Sequence, residues 1–396
     1  MGKEFTPAGI NEDVIILDFE HYGGGQNCQT SALQRQMNYY RLKISEPMLV
    51  GIGSGLGFIY WYMKRMHAPF AGGMNSGKFP GLIGRIVDRL GGSWKVLNTA
   101  SVKRAHIHLK SVLEKGQPVF ICADMAYLPH LMTGEEDHFG QHTLLVVGID
   151  EPKNEVYLSD RFDGIVTMPL SRLQQARASK HQPFPAKNQM LHITFPENLP
   201  NWEQLIPFAI KDNSEYMLNP PIKNMGCEGM RKWARELPKY PGFIENSRTL
   251  VRAMMEHYIY IETGGSGGAL FRRLYSDFLS ESADILKNSD LRRMSREYAK
   301  ISDIWTEIAN AFLPEEFEAL GRLREIQFEV NEILETKGII GVKDAEELAK
   351  EVPSLIAQAA EREIVGFQSI IEPIIEKLHH VANLEENAME ELTAII

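Results

Sequence analysis

The sequence predicts an α+β chain: helices packed on an antiparallel sheet, followed by a mainly α-helical domain. Three observations predict it. Between residues 117 and 170, "QPVFICAD", "HTLLVVGID", "EVYLSDR" and "GIVTMPL" are short runs rich in β-branched residues and separated by turn residues, the pattern of a β-meander. Helical patterns precede this run and do not alternate with it, which argues against a parallel nucleotide-binding sheet. Beyond Gly226 nearly all the hydrophobic periodicity is helical. A chain of 396 residues is long enough for two or three domains. The expected division is 1–170, 171–340 and 341–396, with the first boundary somewhere in 165–200.

The elements follow in order. Residues 13–19, "VIILDFE" with its lead-in, read as a strand. Cys28, Ala32, Leu33, Met37 and Tyr40 have helical spacing, so a helix runs from Cys28 to about Leu42. Ser45 can cap a short turn, with Pro47 favourable inside its start. Glycines 51, 53, 55 and 57 then weaken any long helix and predict close backbone packing, before a strand over Phe58–Met63. A helix is expected over 80–91, a strand over "SWKVLN", and a serine-capped helix over "SVKRAHIHLKSVLEKG" that stops at its glycine. "EPKN" after Asp150 is a hairpin turn. Residues 170–179 read as a helix and "MLHITF" as a last strand, with "PENLPNWEQL" and "LNPPIKNMGCEG" as connectors. Helices are expected over 228–237, 246–261, 267–287, 290–312, 314–336 and 343–392, the last broken or kinked by Pro353 and Pro373.

Composition bounds the function. Hydrophobic residues make up 44% and charged residues 24%, an ordinary globular balance that needs no disulfide or metal to hold a core. The net charge of -10 argues against a general nucleic-acid binder. The N-terminus, Met1-Gly2-Lys3-Glu4, does not read as a secretory signal, and no apolar run is long enough for a membrane span. Cys28, Cys122 and Cys227 give neither a disulfide framework nor a Cys-x-x-Cys zinc pattern. A reduced, cytoplasmic protein without a metal is expected.

One stretch carries chemistry. In "EHYGGGQNCQTSAL", Gly23-Gly24-Gly25 precede a cysteine that opens a helix. The helix dipole and the free N–H groups of a first turn stabilise a thiolate. The same motif also fits a small buried thiol after a flexible turn. "GQHTLLVVGID" opens a strand of buried character with His142, placed to reach a helix N-terminus across a cleft. Asp160, ending "EVYLSD", lies opposite the start of that strand if the two form a hairpin, where it could orient the imidazole. Helix-borne cysteine, strand-borne histidine and an acid one strand later is the order of papain-like cysteine enzymes.

"NCQTSAL", "ISEPMLVGIGSGLGFIYW" and "GQHTLLVVGID" together resemble the N-terminal domain of the butirosin biosynthesis protein H family. "TGGSGGALFRRLYSDFLSESADIL" resembles the domain of unknown function that commonly follows it. The resemblance covers about residues 13–340. It implies a papain-like acyltransferase that moves an acyl or aminoacyl group from a thioester to an amine in antibiotic biosynthesis. Carried over, Cys28 is the nucleophile, His142 the base and Asp160 the orienting acid. The family often has a histidine just before its cysteine, where this chain has Asn27.

On this reading the oxyanion is held by the Cys28 backbone N–H and a side-chain donor: Gln26 first, with His21 and Asn27 as alternatives. Glu46 is expected as a buried support of the glycine-rich backbone. Gly265, Arg272 and Tyr275 are candidates for a substrate wall, and Arg272 for an anion site, against a reading as a packed helix. Cys122 reads as core, and Cys227 as a loop residue without a role. "GEEDHFGQH" reads as a mobile solvated loop beside the site, and not as a metal site.

No cofactor is expected; the acyl thioester is substrate. The expected partners are an acyl carrier protein or a coenzyme A thioester and a small amine. Lys64-Arg65, Lys103-Arg104 and Arg272-Arg273 are candidate basic contacts for an acidic carrier. Heptad-like stretches such as "EIQFEVNEILE" suit core packing or a homodimer. Two other readings stand beside the transferase: a cysteine peptidase or amidase with water as acceptor, and a non-catalytic papain-like binding module.

Overall fold

The computed structural model describes residues 13–64, 66–134 and 136–396. Arg65 of the first basic pair and Glu135 of the acidic loop lie outside the described residues. The chain packs as two units that interleave in sequence. One takes the described residues up to Ile44, Gly91–Glu197 and Ile333–Lys343; the other takes Ser45–Leu90, Asn198–Glu332 and Asp344–Ile396.

Among the described residues nine strands form two sheets: β1 (Val14–Ile16), β2 (Ile59–Trp61), β3 (Phe70–Gly72), β4 (Ser93–Leu97), β5 (Val119–Ala123), β6 (His142–Asp150), β7 (Glu155–Ser159), β8 (Val166–Pro169) and β9 (Met190–Thr194). The first unit holds an antiparallel sheet in the order β4-β9-β5-β6-β7-β8, with β1 pairing the far end of β6. β6 is buried along its whole length because β5 and β1 share one edge and β7 takes the other. Alternation sorts its neighbours: Val119, Ile121, Leu144 and Val146 join the main core with Leu109, Val112 and Leu173 from the helices Val102–Leu113 and Leu170–Ala178. Phe120, Cys122 and Leu145 are buried on the other face. Helix α1 (Cys28–Tyr39) buries Ala32, Leu33 and Met37 and packs against β5 and β6.

A turn from late in the chain completes this unit. The Ile339 N–H donates to the Asp163 carbonyl at 3.0 Å. Gly338 has φ +57°, and a Cβ there would lie 2.2 Å from the Asp163 carbonyl oxygen, so only glycine fits.

The second unit is helical around the β2–β3 hairpin. Phe58, Trp233, Trp305 and Phe312 stack through its centre. The helix Glu46–Ile52 is capped by Ser45 and carries Pro47 in its first turn. A Cβ on Gly51 would lie 2.1 Å from the Phe278 ring, which is why glycine recurs in this stretch. Three expectations need correction. Residues 202–218, read as connector at their start, form a helix with Pro207 inside it. Cys227 lies on the helix Gly226–Glu236 and is buried, not in a loop. The tail is three helices, Val342–Ala349, Val352–Arg362 and Phe367–Ala394; Pro353 starts the second, whereas Pro373 sits inside the third. Among the described residues no helix is long and apolar enough to cross a membrane.

Candidate active site

Cys28 is the first residue of α1. The Asn27 side chain accepts from the Gln29 N–H at 2.9 Å and the Thr30 N–H at 3.4 Å, capping the helix. The Cys28 N–H belongs to the first turn and has no intrahelical acceptor. The glycine run shapes the approach. Gly24 has φ +79°, and a Cβ on Gly23 would lie within 2.6 Å of the Asp163 backbone. The Gly25 N–H donates to the Arg161 carbonyl at 3.1 Å, and Arg161 Nη1 donates to the Gln26 carbonyl at 3.2 Å. The thiol's loop is thus tied to the loop after β7.

His142 and Asp160 meet by register. Leu145 pairs with Ser159, so Asp160, the next residue, stands opposite Leu144. Leu144 and His142 are two residues apart and share a face, which makes Asp160 the diagonal neighbour of His142. His142 Nε2 donates to Asp160 Oδ2 at 2.8 Å. With Nε2 engaged, Nδ1 is the ring nitrogen left for the Cys28 thiol, with which His142 is hydrogen-bonded. The loop entering His142 is held at His138 and Phe139: the buried Asp124 carboxylate accepts from His138 Nδ1 at 2.9 Å, the Phe139 N–H at 3.1 Å and the Ser179 hydroxyl at 2.5 Å.

A fourth residue, unforeseen, joins them. His130 Nε2 donates to the same Asp160 Oδ2, also at 2.8 Å. It lies on the short turn Pro129–Leu131 between β5 and β6. Its signal in the sequence is a histidine among apolar residues, "YLPHLM", too common a setting to stand out among twelve histidines. The other oxygen, Oδ1, accepts from the Arg161 N–H at 2.8 Å.

The electrostatics favour an ion pair. Burial pushes the Cys28 thiol up, but the hydrogen bond and charge of His142 and the Thr143 N–H and hydroxyl outweigh it, leaving the pKa lowered. Burial pushes His142 down, and the charge and hydrogen bond of Asp160, with those of Cys28, overcome this and raise it to about 10. Asp160 is 1% exposed. Burial favours its neutral form, but the charge of His142 and the His130 hydrogen bond hold it well below the ordinary carboxylate range. The arrangement can hold a thiolate–imidazolium pair backed by a buried carboxylate.

The remaining expected residues fall elsewhere. His21 Nε2 must donate to the Phe162 carbonyl at 2.8 Å, and its Nδ1 meets the Ser159 hydroxyl at 2.8 Å. Its single N–H is engaged and its pKa is lowered by burial, so it straps the segment around Asp160 and is not an oxyanion donor. Gln26 donates to the Gly24 carbonyl at 3.2 Å. Glu46 is buried in the first turn of its helix, in the second unit. Gly265, Arg272 and Tyr275 also belong to that unit. Arg272 and Glu385 are fully buried in a two-pronged pair at 2.8 Å, with Gly57 and Leu270 carbonyls on Arg272 Nη1. Four of the five N–H groups of that guanidinium donate to protein and it is fully buried, so it offers no anion site. Tyr275 is likewise fully buried. Among the described residues no group of three or more His, Cys, Asp or Glu is placed to hold a metal ion.

Two families match the chain. Butirosin biosynthesis protein H, N-terminal, matches residues 27–161. The Domain of unknown function (DUF4872) matches residues 171–336. No curated protein matches. The first match opens one residue before Cys28 and closes one residue after Asp160, so it contains the whole cysteine–histidine–aspartate constellation in a papain-like domain. The chain carries a butirosin biosynthesis protein H N-terminal domain over residues 27–161 followed by the domain of unknown function over 171–336, the family and layout that the sequence motifs resemble.

Proposed function

We propose that the protein is an enzyme of small-molecule biosynthesis, an acyltransferase that carries an acyl or aminoacyl group from a thioester to an amine through Cys28. The observation that supports this reading is the thiol at a helix N-terminus paired with an imidazole that a buried carboxylate orients. The Cys28 thiolate attacks the thioester carbonyl, and the Cys28 N–H is a donor for the oxyanion. Such a donor is worth about 3–4 kcal/mol in the transition state. On collapse the carbon–sulfur bond of the donor breaks, and the departing thiolate takes a proton from the His142 imidazolium. Neutral His142 then accepts a proton from the amine as it attacks the acyl-enzyme. Cys28 leaves as thiolate and the ion pair is restored. The donor is an acyl carrier protein or a coenzyme A thioester, and the acceptor is a small amine.

Intact-protein mass spectrometry after incubation with a panel of acyl thioesters tests the scheme. An adduct of acyl mass is expected on wild type and not on Cys28→Ala, discharged by an amine faster than by water. Equal loading of Cys28→Ala refutes the nucleophile. Discharge that no amine accelerates converts the reading to a cysteine hydrolase.

A further inference from the structure

We propose that His130 is a positioning residue that tunes the ion pair: by donating to the carboxylate oxygen that His142 also uses, it weakens Asp160's hold on the His142 proton. The inference rests on the proposed function for its meaning, but its test does not need transfer. The geometry is unusual in one respect. Two imidazole N–H groups, both at 2.8 Å, converge on a single oxygen, while a backbone N–H holds the other. A carboxylate oxygen shared between two donors gives less to each.

The tautomer of His130 follows from its surroundings. Asp160 Oδ2 only accepts, so Nε2 carries hydrogen. Nδ1 is buried and has no hydrogen-bond partner among the described residues. A hydrogen there would be a buried unsatisfied donor, whereas a bare lone pair is the lesser penalty. His130 is therefore built to give one hydrogen bond and no more.

The titratable groups around this centre are few. Cys28 faces His142. His21 lies on the side of the β7 loop, with Arg35 and Asp163 near it. Cys122, beside Thr143 in β5, lies within the field of Cys28, with Arg177 beyond it. None of these donates to Asp160 Oδ2 in place of His130. If His130 merely filled space, an apolar ring would serve. If it held Asp160 in place, its loss would weaken the ion pair. Tuning predicts the opposite: its loss strengthens the pair.

The experiment is the pH profile of Cys28 alkylation by iodoacetamide, read by intact mass on wild type, His130→Phe, His130→Leu and His130→Gln. A shift of about half a unit in the pair's ionisation corresponds to about threefold in thiolate on the acid limb. The apolar variants should therefore alkylate about 1.8-fold faster than wild type at pH 5, threefold more thiolate being offset in part by the weaker nucleophilicity of a less basic thiolate. On the plateau above the thiol's ionisation they should alkylate about 1.7-fold slower, because a less basic thiolate is a weaker nucleophile. His130→Gln, whose amide N–H can occupy the Nε2 position, should restore the wild-type profile. Slower alkylation at pH 5 in folded apolar variants, or an unchanged profile, overturns the proposal. Imidazole nitrogen NMR of the wild type gives a check that no variant's folding can disturb: a protonated Nδ1 on His130 also overturns it. Failure of the proposed function looks different, as a wild-type Cys28 that neither loads acyl groups nor alkylates faster than a free thiol at neutral pH.

Discussion

Asp160→Asn tests the carboxylate directly. In the wild type Oδ2 accepts from two imidazoles and Oδ1 from the Arg161 N–H. An amide in the same place must turn its NH2 toward one of these donors. The less damaging orientation keeps the amide oxygen on the imidazoles and sets NH2 against the Arg161 N–H. One buried hydrogen bond is lost, a stability cost of about 1–3 kcal/mol. The larger effect is electrostatic. His142 is raised from 6.5 to about 10 against a burial that alone would lower it, and Asp160 is the leading cause. At about 1.36 kcal/mol per unit, that is roughly 5 kcal/mol favouring the imidazolium. If Asp160 supplies even two of those units, the equilibrium constant between the ion pair and the neutral pair falls about 100-fold. Alkylation of Cys28 at pH 7 should slow, by up to that factor, with the acid limb of the profile moving up and the basic limb moving down. The assay is the alkylation rate against pH, with circular dichroism to show that the variant is folded. A folded Asp160→Asn protein with the wild-type profile would refute the electrostatic account.

Four further outcomes follow from the same structure. The wild-type alkylation window should stay open from the acid side until His142 loses its proton near pH 10, where the rate changes as the imidazolium disappears. Asn27→Asp keeps the cap, so the melting temperature should barely move, but its added negative charge beside the thiol should slow alkylation at pH 7; an unchanged rate would mean that the first turn does not act on Cys28. Glu385→Leu strands the fully buried Arg272 and should destabilise by about 3–5 kcal/mol in denaturant unfolding, whereas replacing both partners by apolar residues should recover most of that loss. His257 is lowered to about 3 by burial alone. Between pH 6.5 and 3 the unfolded chain therefore binds a proton that the folded chain does not, and stability falls as pH falls through that window. His257→Phe should flatten that part of the stability curve, and an equal slope in the two proteins would exclude His257 as its source.

The legible part of the protein is what local chemistry writes. The β-meander was visible because β6 and β7 carry their own turn at 151–154, and that hairpin alone brings His142 and Asp160 together. Cys28 was visible because Asn27 and the glycines before it mark a helix start. His130 was not legible, since nothing local distinguishes a histidine whose partner is 30 residues away. His21 reads as an available donor in the sequence for the same reason: Ser159 and Phe162, which occupy its two nitrogens, lie 138 and 141 residues further on. Arg272 looked like an anion ligand because Glu385, its counter-charge, lies 113 residues further on. The helix over 202–218 was hidden by Pro207, which signals a break in sequence but is tolerated here inside a helix with buried Leu205, Ile206, Ala209 and Ile210.

The turn at Gly338–Gly341 has a consequence for how the protein is made. Its Ile339 N–H reaches the Asp163 carbonyl, three residues beyond the acid of the site. A ribosome that has released residue 197 has delivered the whole sheet but not this turn, which follows well over a hundred residues later. The loop that carries Asp160 therefore receives its last backbone contact only after most of the helical unit has emerged. Ending the chain near residue 170, where the two matched families meet, would remove that contact, remove β9 from between β4 and β5, and orphan residues 45–90 from the helices they pack with. The thiol's chemistry can be written in a first stretch of sequence, but the nascent chain can assemble the machinery around it only late in its synthesis.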